Sequence, residues 1–136
     1  HSSLGFAELS TTFTTDGIPA FDLEKIPDVE VVETYDDGHV RAKAPRYRAF
    51  KTVAQAITNS GGVLLDIQEN EVIMLTVIAS TDNPCIKDRE DVIFLMPILT
   101  QQNTSRFALK TPVSNLHAVL KEIDSCELDV EHIYDY

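Results

Sequence analysis

The sequence predicts an α+β fold, a ferredoxin-like antiparallel sheet built from two ββαβ-type units with both helices on one face. The main observation is a pattern that occurs twice. An apolar strand leads into Lys-Xaa-Pro at Lys43–Pro45, and again 67 residues later at Lys110–Pro112. An amphipathic helix pattern and a further strand follow each triplet. Two such units join most simply into one open sheet that buries a single face under the helices.

Length and charge limit the class of protein. The 136 residues suffice for one domain with one core, and 43% hydrophobic with 24% charged residues is ordinary globular composition. No apolar run approaches the roughly 20 residues that a membrane helix needs, so we expect no transmembrane segment in this chain. The formal net charge of −11 repels a phosphate backbone, which argues against a nucleic-acid partner.

The N-terminal region differs in composition from the rest. Residues 1–27 are rich in Ser and Thr, and we interpret them as a partly ordered extension with a strand near Ala7–Thr14. We predict a single α+β domain for residues 28–136. Its repeat units are expected at about 28–80 and 91–136.

The first unit is predicted to open with a hairpin, because Asp36-Asp37-Gly38 is a turn signature between two β-rich segments. A helix is expected from Pro45, whose missing N–H costs nothing in a first helical turn, to the glycines at Gly61. Strands follow at Val63–Gln68 and Val72–Ser80, and the second is apolar enough for a central strand covered on both faces. Four residues at helical spacing mark the buried face of the helix: Phe50, Val53, Ala54 and Ile57.

The second unit follows a polar connection. Strands are predicted at Asp91–Thr100 and Ser105–Lys110, and the last strand at Leu128–Tyr134. Thr111 is expected to cap the helix between them, with Pro112 at its first position. The inner face of that helix is predicted to consist of Val113, Leu116, Leu120 and Ile123.

The two cysteines, Cys85 and Cys126, lack the spacing of a zinc site. The sequence leaves two alternatives open: one disulfide in an oxidising compartment, or two buried free thiols. The compartment is therefore not predicted.

Catalytic motifs are missing from the sequence. No GxSxG, GxxxxGK[ST] or GxGxxG occurs, and five glycines leave little material for a phosphate-binding loop. His39, His117 and His132 are candidate proton carriers near neutral pH, but no pattern brings two of them together with carboxylates. We therefore expect a non-enzymatic protein without a cofactor.

The richest group of metal-ligating residue types is C-terminal: Asp129, Glu131, His132, Tyr134 and Asp135. Strict strand alternation places His132 and Tyr134 on the face opposite the carboxylates. This pattern favours an acidic, solvated edge over a metal site, so no metal is predicted.

The candidate ligand-binding residues are Arg46, Tyr47 and Arg48, at the first strand-to-helix junction, and Tyr134 near the end of the chain. The predicted architecture resembles that of small regulatory domains such as the ACT domain, which bind amino acids between subunits. In those domains the first strand-to-helix turn carries a glycine, and here the turn is Ala44-Pro45-Arg46-Tyr47. The resemblance is therefore one of architecture.

These observations favour a non-enzymatic binding or regulatory module that recognises a small ligand or a protein partner within a larger assembly. An open sheet leaves two edges, which also predicts a homodimer. The alternative is a soluble extracytoplasmic lobe of a membrane transporter or receptor, acting through protein–protein contacts. The chain begins at His1, as expected for a processed or excised piece, and a Cys85–Cys126 disulfide would favour this alternative.

Overall fold

In this computed structural model, which describes residues 10–46 and 48–134, the strands form two four-stranded antiparallel sheets. The first sheet consists of β1 (Ser10–Asp16), β2 (Glu30–Thr34), β3 (Val40–Pro45) and β4 (Val63–Ile67), in the order β2-β3-β1-β4. The second consists of β5 (Val72–Ser80), β6 (Val92–Pro97), β7 (Thr104–Pro112) and β8 (Val130–Tyr134), in the order β6-β7-β5-β8. The α+β class is confirmed. The predicted single sheet is wrong, and the ferredoxin-like arrangement is not confirmed.

The two sheets repeat one design. The four strands of each sheet, taken in chain order, occupy the same positions in both sheets. β-Bulges also interrupt equivalent pairs, β2–β3 and β6–β7 on one side and β1–β4 and β5–β8 on the other. Strand β1 lies in the predicted N-terminal extension, residues 1–27, and it belongs to the first sheet. Strand β5 lies in the predicted first repeat unit, residues 28–80, and it belongs to the second sheet. The predicted single domain at 28–136 and the predicted second unit at 91–136 stay predictions.

Strand β1 is a central strand that the sequence pattern does not reveal as one. Its Thr-rich sequence does not alternate clearly, yet β1 pairs with both β3 and β4 at the centre of the first sheet. Phe13 and the hydroxyl-bearing Thr11 and Thr15 are buried on its inner face. β-Branched threonines fit a pleated, half-buried surface, so tertiary pairing stabilises a strand that the apolar pattern hides.

The helices pack against both sheets. Helix α2 (Arg48–Asn59) contacts β3 and β4 of the first sheet and β8 of the second, and α3 (Leu116–Ser125) contacts β4 and α2. A short helix, α1 (Ala20–Leu23), precedes β2. The predicted burial is confirmed, because the eight residues are each 5% exposed or less: Phe50, Val53, Ala54, Ile57, Val113, Leu116, Leu120 and Ile123. Of these, Val113 lies in the 3₁₀ turn before α3. One apolar cluster joins both helices to both sheets.

Both predicted helix starts are wrong in the same way. Pro45 and Pro112 are the last residues of β3 and β7, not first residues of helices. A proline lacks the N–H that a strand ladder needs, and it holds the preceding residue in an extended conformation, so it suits a strand end equally well. Thr111 lies buried in β7. Asn115 is the N-cap residue of α3 and also the last residue of a 3₁₀ turn at Val113–Asn115.

The two longer helices, α2 and α3, end in a Schellman motif. In α2 the Gly61 N–H donates to Thr58 O at 3.0 Å and the Gly62 N–H to Ile57 O at 2.9 Å. Gly61 has φ +86°, the left-handed conformation that the motif requires. In α3 the equivalent bonds run from Glu127 to Asp124 and from Leu128 to Ile123. Glu127, a residue with a Cβ, has the left-handed φ of 61°.

We predict that Glu127→Gly stabilises the protein by about 0.5–1 kcal/mol, because left-handed backbone costs a residue with a Cβ about 1–2 kcal/mol and glycine offsets part of this through entropy. The reciprocal change, Gly61→Glu, should destabilise by about 1 kcal/mol. A Cβ at Gly61 meets no atom within 4 Å, so backbone strain alone is tested there. Urea denaturation of both variants measures the two effects. Equal midpoints for parent and variants would contradict the prediction.

Candidate functional site

Strand β6 is an edge strand with exposed apolar side chains on both faces. Among the strands of residues 10–46 and 48–134, it pairs with β7 on one side and with no strand on the other. Four consecutive side chains, Ile93 to Met96, are 40–50% exposed, and Leu99 just beyond the strand is 97% exposed. From Val92 to Ser105 the chain carries no charged residue, although 24% of the whole chain is charged. Such an edge is a template for pairing with another extended chain.

The backbone of β6 offers hydrogen-bonding groups at its open edge. The Ile98 N–H points towards β7, because it donates to Thr104 O at 2.9 Å. Since these directions alternate along a strand, the N–H and C=O of Leu95 point away from β7. Pro97 also faces the open edge, where it offers a carbonyl but no N–H. The edge can therefore pair around Leu95.

Two of the exposed β6 side chains lie on the outer face of the second sheet, one beside a small buried residue and one beside a charged residue. Residues opposite each other on paired strands share a face, and Phe94 is paired with Ala108 and Met96 with Arg106. Ala108 and its partner on β5, Thr76, are small and buried. Phe94 thus borders two small buried residues, and Met96 borders Arg106.

The first sheet provides an internal comparison. Its equivalent edge strand, β2, carries the exposed carboxylates Glu30 and Glu33, paired in register with Lys43 and Arg41 of β3. Charge on an edge strand hinders pairing with another chain, because each carboxylate would lose water. Val32 is 51% exposed in β2, but Glu33 follows it directly and Glu30 lies two residues before it. The two sheets share a strand order and differ at this edge.

A disulfide and a group of ion pairs attach the segment before β6 to helix α3. A disulfide joins Cys85 in this segment to Cys126 at the end of α3, with their Cα atoms 6.3 Å apart. Arg89 donates to both oxygens of Asp91 at 2.9 and 2.8 Å, and to Glu122 of α3 at 2.8 Å. The hydrogen bonds to Asp91 raise the pKa of the Arg89 guanidinium above its usual value. The start of β6 is therefore fixed to α3.

A second ion pair crosses the outer face of the same sheet. Arg106 on β7 donates from Nε and Nη2 to the two oxygens of Glu131 on β8, both at 2.7 Å. These hydrogen bonds from Arg106 lower the pKa of the Glu131 carboxyl. Glu131 is the extra residue of a β-bulge, since Thr76 pairs with His132 and Val77 with Val130. The prediction of strict alternation in β8 is therefore wrong, and Val130 and Ile133 both face the core.

Two clefts on the described surface are lined by residues of α2. A polar cleft of about 300 Å³ lies between the helices and is lined by Gln55, Thr58, Asn59, Leu120, Lys121, Asp124 and Asp129. An apolar cleft of about 240 Å³ is lined by Ile26, Pro27, Asp28, Pro45, Thr52, Val53 and Ala56. Small-molecule sites usually measure about 300–1,000 Å³, so both clefts are at or below the lower limit.

The structure locates the predicted ligand-binding residues only in part. Arg46 lies between β3 and α2, and Tyr134 at the end of β8, where its ring centroid is 4.3 Å from that of His132. Tyr47 lies outside the described residues, and Arg48 is the first residue of α2. Their role in ligand binding stays a prediction. The exposed β6 edge was missed, although its uncharged run was visible in the sequence.

The C-terminal acidic residues have separate surroundings. Glu131 is paired with Arg106, and Asp129 lines the polar cleft, whereas Asp135 lies outside the described residues. Within residues 10–46 and 48–134, no group of three His, Cys, Asp or Glu side chains is placed to hold a metal ion. His39 Nδ1 lies 3.3 Å from Asp37 on an exposed hairpin, and His117 lies on α3.

Comparison with protein-family models, with curated proteins and with solved structures found no match for this chain. Among the helices in the described part of the chain, none has the length and apolar content to cross a bilayer.

We predict that the Arg106–Glu131 pair contributes to stability above about pH 4.5, the ordinary pKa of the carboxyl, and that this contribution is lost as the pH falls through the lowered pKa of the folded state. Glu131→Gln should therefore lower the free energy of unfolding at pH 7 by more than it does at pH 3. Urea denaturation at the two pH values measures this, with the exposed Glu24→Gln as control. An equal loss at both pH values would contradict the prediction.

Proposed function

We propose that this protein is a non-enzymatic recognition module that binds an extended segment of a protein partner along β6. The observation that supports the proposal is the run of four half-exposed apolar side chains on a strand with one open edge. An added strand would gain main-chain hydrogen bonds at Leu95 and apolar contacts on both faces of the sheet. A module that binds such a partner is part of a larger assembly.

Recognition of a partner protein is a better match to this surface than recognition of a small ligand. Monomeric proteins rarely expose apolar patches larger than a few hundred Å², and larger patches mark interaction sites. The two clefts are small, and one of them is lined mainly by polar side chains. The same proposal has a second form, in which the module binds a small regulatory ligand through Arg46, Tyr47, Arg48 and Tyr134.

A random-peptide display library, selected against the protein, tests the proposal. We expect enriched peptides to contain uncharged stretches rich in β-branched and apolar residues. They should bind Ile93→Lys at least about tenfold more weakly than the parent, because the lysine must be desolvated in the contact.

Val32→Lys is a matched control. Val32 and Ile93 are the extra residues of equivalent bulges in the two sheets, and they are 51% and 50% exposed. Both changes add the same charge. Peptides that bind the parent and both variants equally, or that shift amide signals along the two clefts instead of β6, would overturn the proposal.

The disulfide favours a second proposal about context, that this module is exposed outside the reducing cytosol, as an extracytoplasmic lobe would be. Cys85 and Cys126 are 41 residues apart in sequence, and the bond ties a loop to a helix. A bond across such a loop restricts the unfolded chain, and its loss typically costs about 2–5 kcal/mol.

We predict that protein alkylated during isolation carries no alkyl group until it is reduced, and two afterwards. Reduction should also lower the free energy of unfolding by about 2–4 kcal/mol. Intact mass and urea denaturation measure the two effects. Alkylation of both cysteines without reduction would contradict the second proposal and leave the recognition of extended segments by β6 to its own test.

A further inference from the structure

We infer that the extended segment recognised by β6 is β6 of a second copy of this chain, so that two second sheets join edge to edge into an eight-stranded sheet. This inference rests on the proposed function and names its partner. Three properties of the edge support it: its charge, its hydrogen-bonding groups and its exposed area.

Charge selects this edge for contact between two copies. Each copy carries a formal net charge of −11, so most orientations bring like charges together. Contact along Val92–Ser105 buries no charged residue from either copy. A basic partner would instead be attracted to the acidic surfaces elsewhere, and it would gain nothing from an uncharged strand.

Two-fold symmetry makes the pairing antiparallel, and this arrangement separates the nearest carboxylates. With Leu95 opposite Leu95 of the partner subunit, Asp91 lies opposite Leu99 of the partner subunit. The two Asp91 residues are then eight residue steps apart, about 27 Å along the strands. Screening in physiological salt reduces their repulsion strongly beyond about 8 Å.

The hydrogen-bonding groups are self-complementary in the same register. The N–H and C=O of Leu95 both point to the open edge, so two copies can exchange two hydrogen bonds at the centre of the pair. Pro97, which lacks an N–H, lies two residues from that centre in each copy. One donor is therefore missing on each side of the central pair, where Pro97 faces Ile93 of the partner subunit.

The exposed apolar area is in the range that an interface uses. Side chains of this size, 40–97% exposed, present roughly 400–500 Å² of apolar surface per copy. A stable interface buries about 800 Å² per partner, so these side chains supply about half of it. The edge backbone and the flanking residues of β6 supply the remainder.

Sedimentation equilibrium of the intact protein over a broad dilution series tests the inference. We expect a dimer of twice 15.2 kDa that dissociates on dilution. Ile93→Lys should weaken the dimer at least about tenfold, and the matched Val32→Lys should leave its dissociation constant unchanged. Hydrogen exchange adds a backbone readout, because the Leu95 amide should be protected in concentrated solution and exposed on dilution.

Each outcome separates the inference from the proposed function. A monomer at every concentration overturns the inference, and selected peptides that still bind β6 then leave the proposed function standing. A dimer that Ile93→Lys and Val32→Lys affect equally, with an unprotected Leu95 amide, also overturns the inference by placing the contact elsewhere. A dimer weakened only by Ile93→Lys supports both.

Discussion

The fold depends on one apolar core that neither sheet can form alone. Phe13 of the first sheet and Phe107 of the second belong to the same buried cluster, and α2 contacts strands of both sheets. Each sheet has an inner face that must be covered, and the helices contribute apolar side chains to the core that covers both. Every other feature follows from this constraint, because it decides which faces of the strands remain available to solvent or to a partner.

Local features of the fold could be predicted from sequence, and the partition into sheets could not. Helical spacing identified the inner residues of both helices, such as Ile57 and Ile123, because burial sets that spacing directly. The central position of β1 could not be predicted, because its pairing with β3 and β4 depends on distant residues. The bulge at Glu131 was also hidden, since one extra residue is visible only against a paired strand.

The candidate site, like the fold, could be predicted from the sequence only in part. The uncharged run from Val92 to Ser105 is evident in the sequence, but its meaning depends on the position of β6 at an edge. In a central position the same residues would be ordinary core. The equivalent strand β2 carries two glutamates, so a repeated strand order supports one charged edge and one uncharged edge. The candidate site therefore arises from a difference between two similar units.

The connection between the sheets has a consequence for the integrity of the chain. Every strand ladder of the first sheet lies at or before Ile67, and every ladder of the second begins at or after Val72. A proteolytic cut in the exposed turn between them would therefore sever no ladder. The two fragments would share the common core without a covalent link, so reassembly of the protein would become a second-order reaction. The same property makes this turn a natural hinge for an exchange of halves between two chains.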